Sequence, residues 1–268
     1  ENFGAIGTVA GYLVIGIVIF TVTGTTGEAF VPYMYLLALS ASALTLGYMQ
    51  DWLSLRWIGA LGSFVGFLLL LHFMQDLGGN MMLLYAAMSV GGILAISSGG
   101  SRDAEPLALS AVGTAYVAAV ILFLHSQAHV GNVPMFVYLT LLAAATVTVT
   151  ALFDWRAFSR LSIPAAFLAT WLLRTAGVSE FALIYVALLA PAALAVSVWR
   201  GDRTLGAISV IGAWLALPLS GSLSAGMPVA VVPAYVVLAT IGTLVAIEWG
   251  RWRGLEGLSL IGAWGFYA

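Results

Sequence analysis

The 268-residue chain is 62% hydrophobic and only 7% charged, with a mean hydropathy of +1.06. So few polar side chains cannot cover a water-facing globule of this length, and an all-α integral membrane protein solvated by lipid is the expected class. Nine arginines against eleven acids, with no lysine and no cysteine, exclude a basic nucleic-acid surface, lysine-based covalent chemistry, disulfides and thiolate metal sites.

In chain order, apolar runs broken by short charged or Gly/Pro-marked turns predict eleven transmembrane helices near 5–23, 31–49, 57–74, 81–98, 107–125, 134–153, 161–174, 181–199, 204–220, 228–248 and 254–268. Glu1 is followed by no basic segment and no small-residue cleavage site, so the first run reads as a membrane helix rather than a signal peptide. The last run, Leu255 to Ala268, falls short of the ~20 residues that span a bilayer, which predicts that the sequence is a piece of a longer chain. No connection exceeds about ten residues, so neighbouring helices are expected to be antiparallel and to form tandem hairpins in a single polytopic domain over 1–268.

Pro32, Pro106, Pro134 and Pro228 fall in predicted first turns, where a missing N–H costs nothing. Pro164, Pro191, Pro218 and Pro233 fall further inside and predict kinks.

The arginines predict an orientation. Turns after even-numbered runs hold Arg56, Arg102, Arg156, Arg160, Arg200, Arg203, Arg251 and Arg253, whereas turns after odd-numbered runs hold only Arg174. Short loops rich in arginine stay in the cytoplasm, so the N-terminus is expected there as well. Trp52, Trp57, Trp155, Trp199, Trp249 and Trp252 crowd the same turns, as an interfacial aromatic belt does. Each of these turns also carries a carboxylate, so local ion pairs are the plain expectation there.

Internal repetition is visible. Gly4-Ala5-Ile6 followed by Gly11-Tyr12-Leu13 matches Gly206-Ala207-Ile208 followed by Gly212 and Trp214-Leu215; Val31-Pro32-Tyr33 matches Val232-Pro233-Ala234; and the turn and helix from Trp52 to Gly62 match Trp252 to Gly262. A three-helix module is thus expected at 1–74 and again at 204–268. Between the two, a helix–charged turn–helix unit recurs every ~45 to 50 residues.

Leu205-Gly206-Ala207-Ile208, Ala216-Leu217-Pro218-Leu219-Ser220, Val232-Pro233-Ala234-Tyr235 and Trp252-Arg253-Gly254-Leu255 together resemble the repeated pattern of a bacterial family of long membrane proteins known as domain of unknown function 2339. Gly4 to about Leu70 resembles another copy, with Ile15 near the place of the helix-end proline. The resemblance implies a multi-pass inner-membrane protein with further helices and an N-terminal soluble segment in its full form. It implies no activity.

Candidate chemistry is sparse. His72, His125 and His129 all end odd-numbered runs and so share the extracytoplasmic side, with Glu28 and Asp76 in turns nearby. His125 and His129 are four apart, the spacing of a two-histidine metal pair, and the three histidines could also ligate a pigment or haem. The plainer reading is histidine at helix ends among headgroups and water, and the sequence leaves the cofactor open. No ionisable group falls in the middle third of any run, which argues against an ion-coupled pump. Gly7 and Gly11 form a close-packing motif, ordinary in a bundle. No nucleophile elbow, zinc-protease motif, phosphate-binding loop or dinucleotide turn is present.

The leading expectation is a non-catalytic scaffold or accessory subunit of a membrane complex, whose partners are the lipid bilayer and other membrane subunits. The alternative is a transporter of small neutral or lipid-like solutes. Short Arg-inside loops and Ile58-Gly59-Ala60-Leu61-Gly62 resemble the drug/metabolite transporter superfamily. That superfamily duplicates a five-helix unit in opposite orientations, whereas the copies here lie an even number of helices apart. The third and least favoured expectation is an enzyme acting on lipid-linked substrates through His72, His125 and His129.

Overall fold

The computed structural model describes residues 2–21, 30–71, 74–99, 103–126, 131–175, 179–220, 231–252 and 254–264. Among these residues the chain forms eleven helices and no strand: α1 (Asn2–Thr21), α2 (Phe30–Met49), α3 (Leu53–Leu70), α4 (Met74–Ser97), α5 (Ala104–Ser126), α6 (Asn132–Leu152), α7 (Arg156–Thr175), α8 (Ser179–Arg200), α9 (Arg203–Ser220), α10 (Val231–Gly250) and α11 (Glu256–Trp264). Seven of them, α2 to α6, α8 and α10, are long and apolar enough to cross a bilayer. Large apolar side chains cover much of the exposed surface as well, including Ile6, Leu68, Leu124, Leu168, Leu238 and Ile261, an outer layer suited to lipid rather than to water.

The boundaries differ from the hydropathy runs for physical reasons. The helices α3 and α7 begin at Leu53 and Arg156, about a turn ahead of their apolar runs, because Arg56 and Arg160 lie inside the first turns rather than in the connections. Asp76 likewise lies within α4 and not in a turn. Gly78, at φ 72° and ψ 149°, interrupts α4 with a conformation that only glycine adopts without strain. Because α10 starts at Val231, Pro233 is its third residue, the place that Pro32, Pro106 and Pro134 hold in α2, α5 and α6. Pro233 therefore kinks nothing, and Pro228 lies outside the described residues. Pro164, Pro191 and Pro218 do stand inside helices.

Three arginine-side turns share one closure. The Trp52, Asp202 and Trp252 N–H groups donate to the Gly47, Ser197 and Ile247 carbonyls, while Asp51, Gly201 and Arg251 N–H groups donate to Tyr48, Val198 and Glu248. Asp51, Gly201 and Arg251 all have positive φ, completing a Schellman cap at the ends of α2, α8 and α10.

Glu1–Met135 and Phe136–Ala268 form two compact units. In the first, α3 touches α1, α2, α4 and α5; in the second, α9 touches α7, α8, α10 and α11. Every helix pairing among α1 to α5 has its counterpart among α7 to α11 six helices later. Lipid competes for apolar surface, so association rests on close approach and polar contacts. Gly62 takes the ring of Tyr12, Gly212 that of Phe167 and Gly262 that of Trp214, each pair joining a helix to the next but one. Tyr12 Oη and Ser40 Oγ share a hydrogen bond of 2.6 Å between α1 and α2, and Thr243 Oγ1 and Ser259 Oγ share one of 2.5 Å between α10 and α11.

Each even-numbered helix buries one tyrosine: Tyr33, Tyr138, Tyr185 and Tyr235 in the first two turns of α2, α6, α8 and α10, and Tyr85 in the middle of α4. Tyr185 Oη donates to the Ala166 carbonyl at 2.8 Å, and Tyr235 Oη to the Ala213 carbonyl at 3.0 Å. The odd-numbered helices from α3 onward open on a buried Leu55, Leu107, Phe158, Leu205 or Leu255, with a buried small residue four places later: Gly59, Ala111, Ser162, Ser209 or Ser259.

Candidate functional site

Among its described residues the second unit holds a polar and an apolar cavity. The polar one, about 350 Å³, lies where α6 and α8 end and α7 and α9 begin. Arg156, Arg160, Arg200 and Arg203 line it together with Thr150, Asp154 and Asp202. Local geometry brings them together. Asp202 caps α9, its Oδ1 accepting from the Thr204 and Leu205 N–H groups at 2.9 and 3.2 Å, which leaves Oδ2 at 3.8 Å from Arg160 Nη2. Arg200 turns back along α6, donating Nε–H to the Thr150 carbonyl at 3.1 Å and Nη1–H to Asp154 Oδ1 at 3.4 Å. It thereby satisfies a carbonyl in the last turn of α6 that has no partner within the helix. Phe153 stacks on Trp155 with centroids 4.5 Å apart, and Trp155 meets the edge of Phe158 at 6.1 Å.

Two polar atoms in this pocket lack a partner although neither reaches solvent: Arg200 Nη2 and Thr150 Oγ1. Thr150 is 2% exposed. The charges sum to four guanidiniums against two carboxylates, both of which already hold an arginine.

The second cavity is an apolar groove of about 600 Å³ between α8 and α10. Its walls are small residues, Ala187, Ala190, Ala195, Ala239, Gly242 and Ala246, with Leu194 and Leu238. Trp199 and Trp249, 71% and 79% exposed, stand at the end nearest the arginine turns. Pro191 offers no N–H to the Ala187 carbonyl, so the backbone of this wall is locally loosened.

No protein-family model, no curated protein and no solved structure matches this chain. The site is therefore read from its own chemistry.

The structure places the arginines of the orientation argument unevenly. Arg156, Arg160, Arg200 and Arg203 converge on the pocket, and Arg251 sits in the turn after α10. In the first unit Arg56 is 4% exposed, donating Nε–H to the Gly47 carbonyl at 3.0 Å and Nη2–H to Asp51 Oδ1 at 2.5 Å, with Tyr48 under the guanidinium at 5.9 Å. Arg102 and Arg253 lie outside the described residues. At the opposite helix ends, Arg174 Nη1–H donates to the Pro218 carbonyl at 3.0 Å.

Of the candidate ligands, His72, His129 and Glu28 lie outside the described residues, and His125 is placed only by its backbone in the last turn of α5. Among the described residues no three histidines, acids or cysteines gather as a metal site would require. The sequence reading missed Thr150 and the α8/α10 groove. A threonine in the last turn of α6, one turn ahead of Asp154, was the available signal for the first; the run of alanines around Pro191 was the signal for the second.

Proposed function

We propose that the chain is a multi-pass protein of a bacterial inner membrane, built of tandem helical hairpins with a cytoplasmic N-terminus, and that it serves as a non-catalytic scaffold or accessory subunit of a membrane complex. Eight of nine arginines at one set of turns support the orientation. In the described helices every charged residue stands near an end, which leaves the apolar interior without groups for acid–base or ion-coupled work. The recurring buried tyrosine and the recurring opening of the odd-numbered helices support the hairpin as the repeated unit.

The α8/α10 groove carries the reading. A small-residue wall lets another helix approach closely, the main source of helix association in lipid, and the two exposed tryptophans fix the level of the interface beside it. A photo-crosslinker at Leu238 tests this, because that side chain lines the groove and is 70% exposed. The expected product is a covalent adduct with one polypeptide of the same membrane, absent with the crosslinker at Leu168 and lost in Gly242→Leu. A methyl added at Gly242 meets nothing within 4 Å, so a larger side chain there starts into open space, and the unfolding temperature of the variant checks that the bundle is intact.

The same groove favours a second reading, a transporter of small neutral or lipid-like solutes. A protein that purifies alone, gives no adduct at Leu238 and moves such a solute into vesicles would replace the scaffold by the transporter.

A further inference from the structure

We infer that the pocket framed by Thr150, Asp154, Arg156, Arg160, Arg200 and Arg203 binds a phosphate group, carried by an anionic lipid headgroup or by a soluble phosphate. Four guanidiniums face two carboxylates, and both carboxylates are engaged: Asp202 caps α9 and lies 3.8 Å from Arg160, and Asp154 lies 3.4 Å from Arg200. Counting only Arg156, Arg160 and Arg200 against Asp154 and Asp202, the surplus charge is positive and favours an anion.

The unpartnered atoms point the same way. Arg200 and Thr150 both line the cavity, and Arg200 Nη2 and Thr150 Oγ1 are buried without a hydrogen-bond partner. Buried donors of this kind are normally satisfied, and guanidinium N–H groups and hydroxyls are donors that a tetrahedral oxyanion takes up. The helix α7 starts at the pocket with no acid in its first turn, which adds uncompensated N–H groups and the positive end of its dipole. A cavity of about 350 Å³ far exceeds one water, whose share of liquid volume is roughly 30 Å³. Basic pockets between helices at the cytoplasmic interface suit anionic headgroups, and Trp155 stacked on Phe153 places an aromatic pair at that level.

The test uses the full chain and two probes. Delipidated protein in a neutral detergent is titrated with inorganic phosphate and followed by its unfolding temperature. In parallel, the protein is reconstituted in phosphatidylcholine nanodiscs with and without phosphatidylglycerol, and retained lipid is read by native mass spectrometry. Arg156→Gln and Arg160→Gln are compared with Arg251→Gln, an arginine at the same helix ends but outside the pocket. Two pocket variants keep the test alive should one fail to fold, and unfolding temperatures without phosphate identify such a failure.

Each pocket substitution is expected to weaken binding about fivefold, with Arg251→Gln unchanged. A response to inorganic phosphate without lipid assigns the site to a soluble phosphate; selective retention of phosphatidylglycerol alone assigns it to a headgroup. Neither a phosphate response nor a preference for phosphatidylglycerol, or an equal loss in Arg251→Gln, would overturn the inference.

Discussion

Tyr235 on α10 donates its hydroxyl to the Ala213 carbonyl on α9, and this bond at 3.0 Å has a counterpart at 2.8 Å one hairpin earlier, from Tyr185 on α8 to Ala166 on α7. In each case the tyrosine reaches back to the helix that precedes it in the chain. Tyr185→Phe and Tyr235→Phe keep the ring and remove only the donor. Each is expected to lower stability by about 0.6 kcal/mol, the usual worth of an interhelical hydrogen bond in a bilayer. Reversible denaturation in detergent micelles measures it, and a change near zero would mean that the acceptor carbonyl is fully served within its own helix.

Close approach at glycine gives a sharper contrast. A methyl at Gly212 would overlap the Phe167 ring, whereas one at Gly113 meets nothing within 4 Å. Gly212→Ala is expected to cost about 1–3 kcal/mol through displaced rings. Gly113→Ala is expected to be neutral or to gain up to ~1 kcal/mol from helix propensity. Adding Phe167→Leu to Gly212→Ala should recover part of the loss if the overlap is its cause.

Arg56 is held by its fork: one N–H to the Gly47 carbonyl, another to Asp51 and the ring of Tyr48 beneath. An ammonium cannot reproduce two divergent donors, so Arg56→Lys should lose nearly as much stability as Arg56→Met, about 1.5–3 kcal/mol. Asp51 is 88% exposed, and its own substitution by Asn, which tolerates positive φ, should cost less than 1 kcal/mol. Thermal unfolding of the three variants orders them, and an Arg56→Lys protein as stable as the parent would remove the fork from the account.

Arg251 has φ 52°, a strained value for a residue with a side chain. Its counterpart in the turn after α8 is Gly201, at φ 64°. Arg251→Gly is expected to stabilise the chain by about 1 kcal/mol, and Arg251→Val to destabilise it by at least as much. Unfolding midpoints of the pair measure the strain directly, and the opposite order would show that the arginine side chain holds the turn.

Much of the fold was legible because apolar runs and short turns leave few choices: the number and order of helices follow from hydropathy, although among the described residues only seven of the eleven are long and apolar enough to cross a bilayer. The starts of α3 and α7 were not, since a charge ends an apolar run without ending a helix, and Arg56 and Arg160 continue the backbone spiral while their long side chains reach polar partners. Pro233 was misplaced for the related reason that the start of α10 carries no polar mark. The pocket was half legible. Its arginines stood out as turn charges, but their convergence with Thr150 depends on how α6, α7, α8 and α9 meet, which no local pattern encodes.

The backward reach of Tyr185 and Tyr235 bears on how the protein is made. A nascent membrane chain leaves the insertion machinery in order, and a buried hydroxyl that had to wait for a later helix would meanwhile face hydrocarbon unserved. Here the acceptor has already emerged when its tyrosine arrives. For these two tyrosines the α7/α8 and α9/α10 pairs can therefore close as they are synthesised, two helices at a time, without waiting for a later helix.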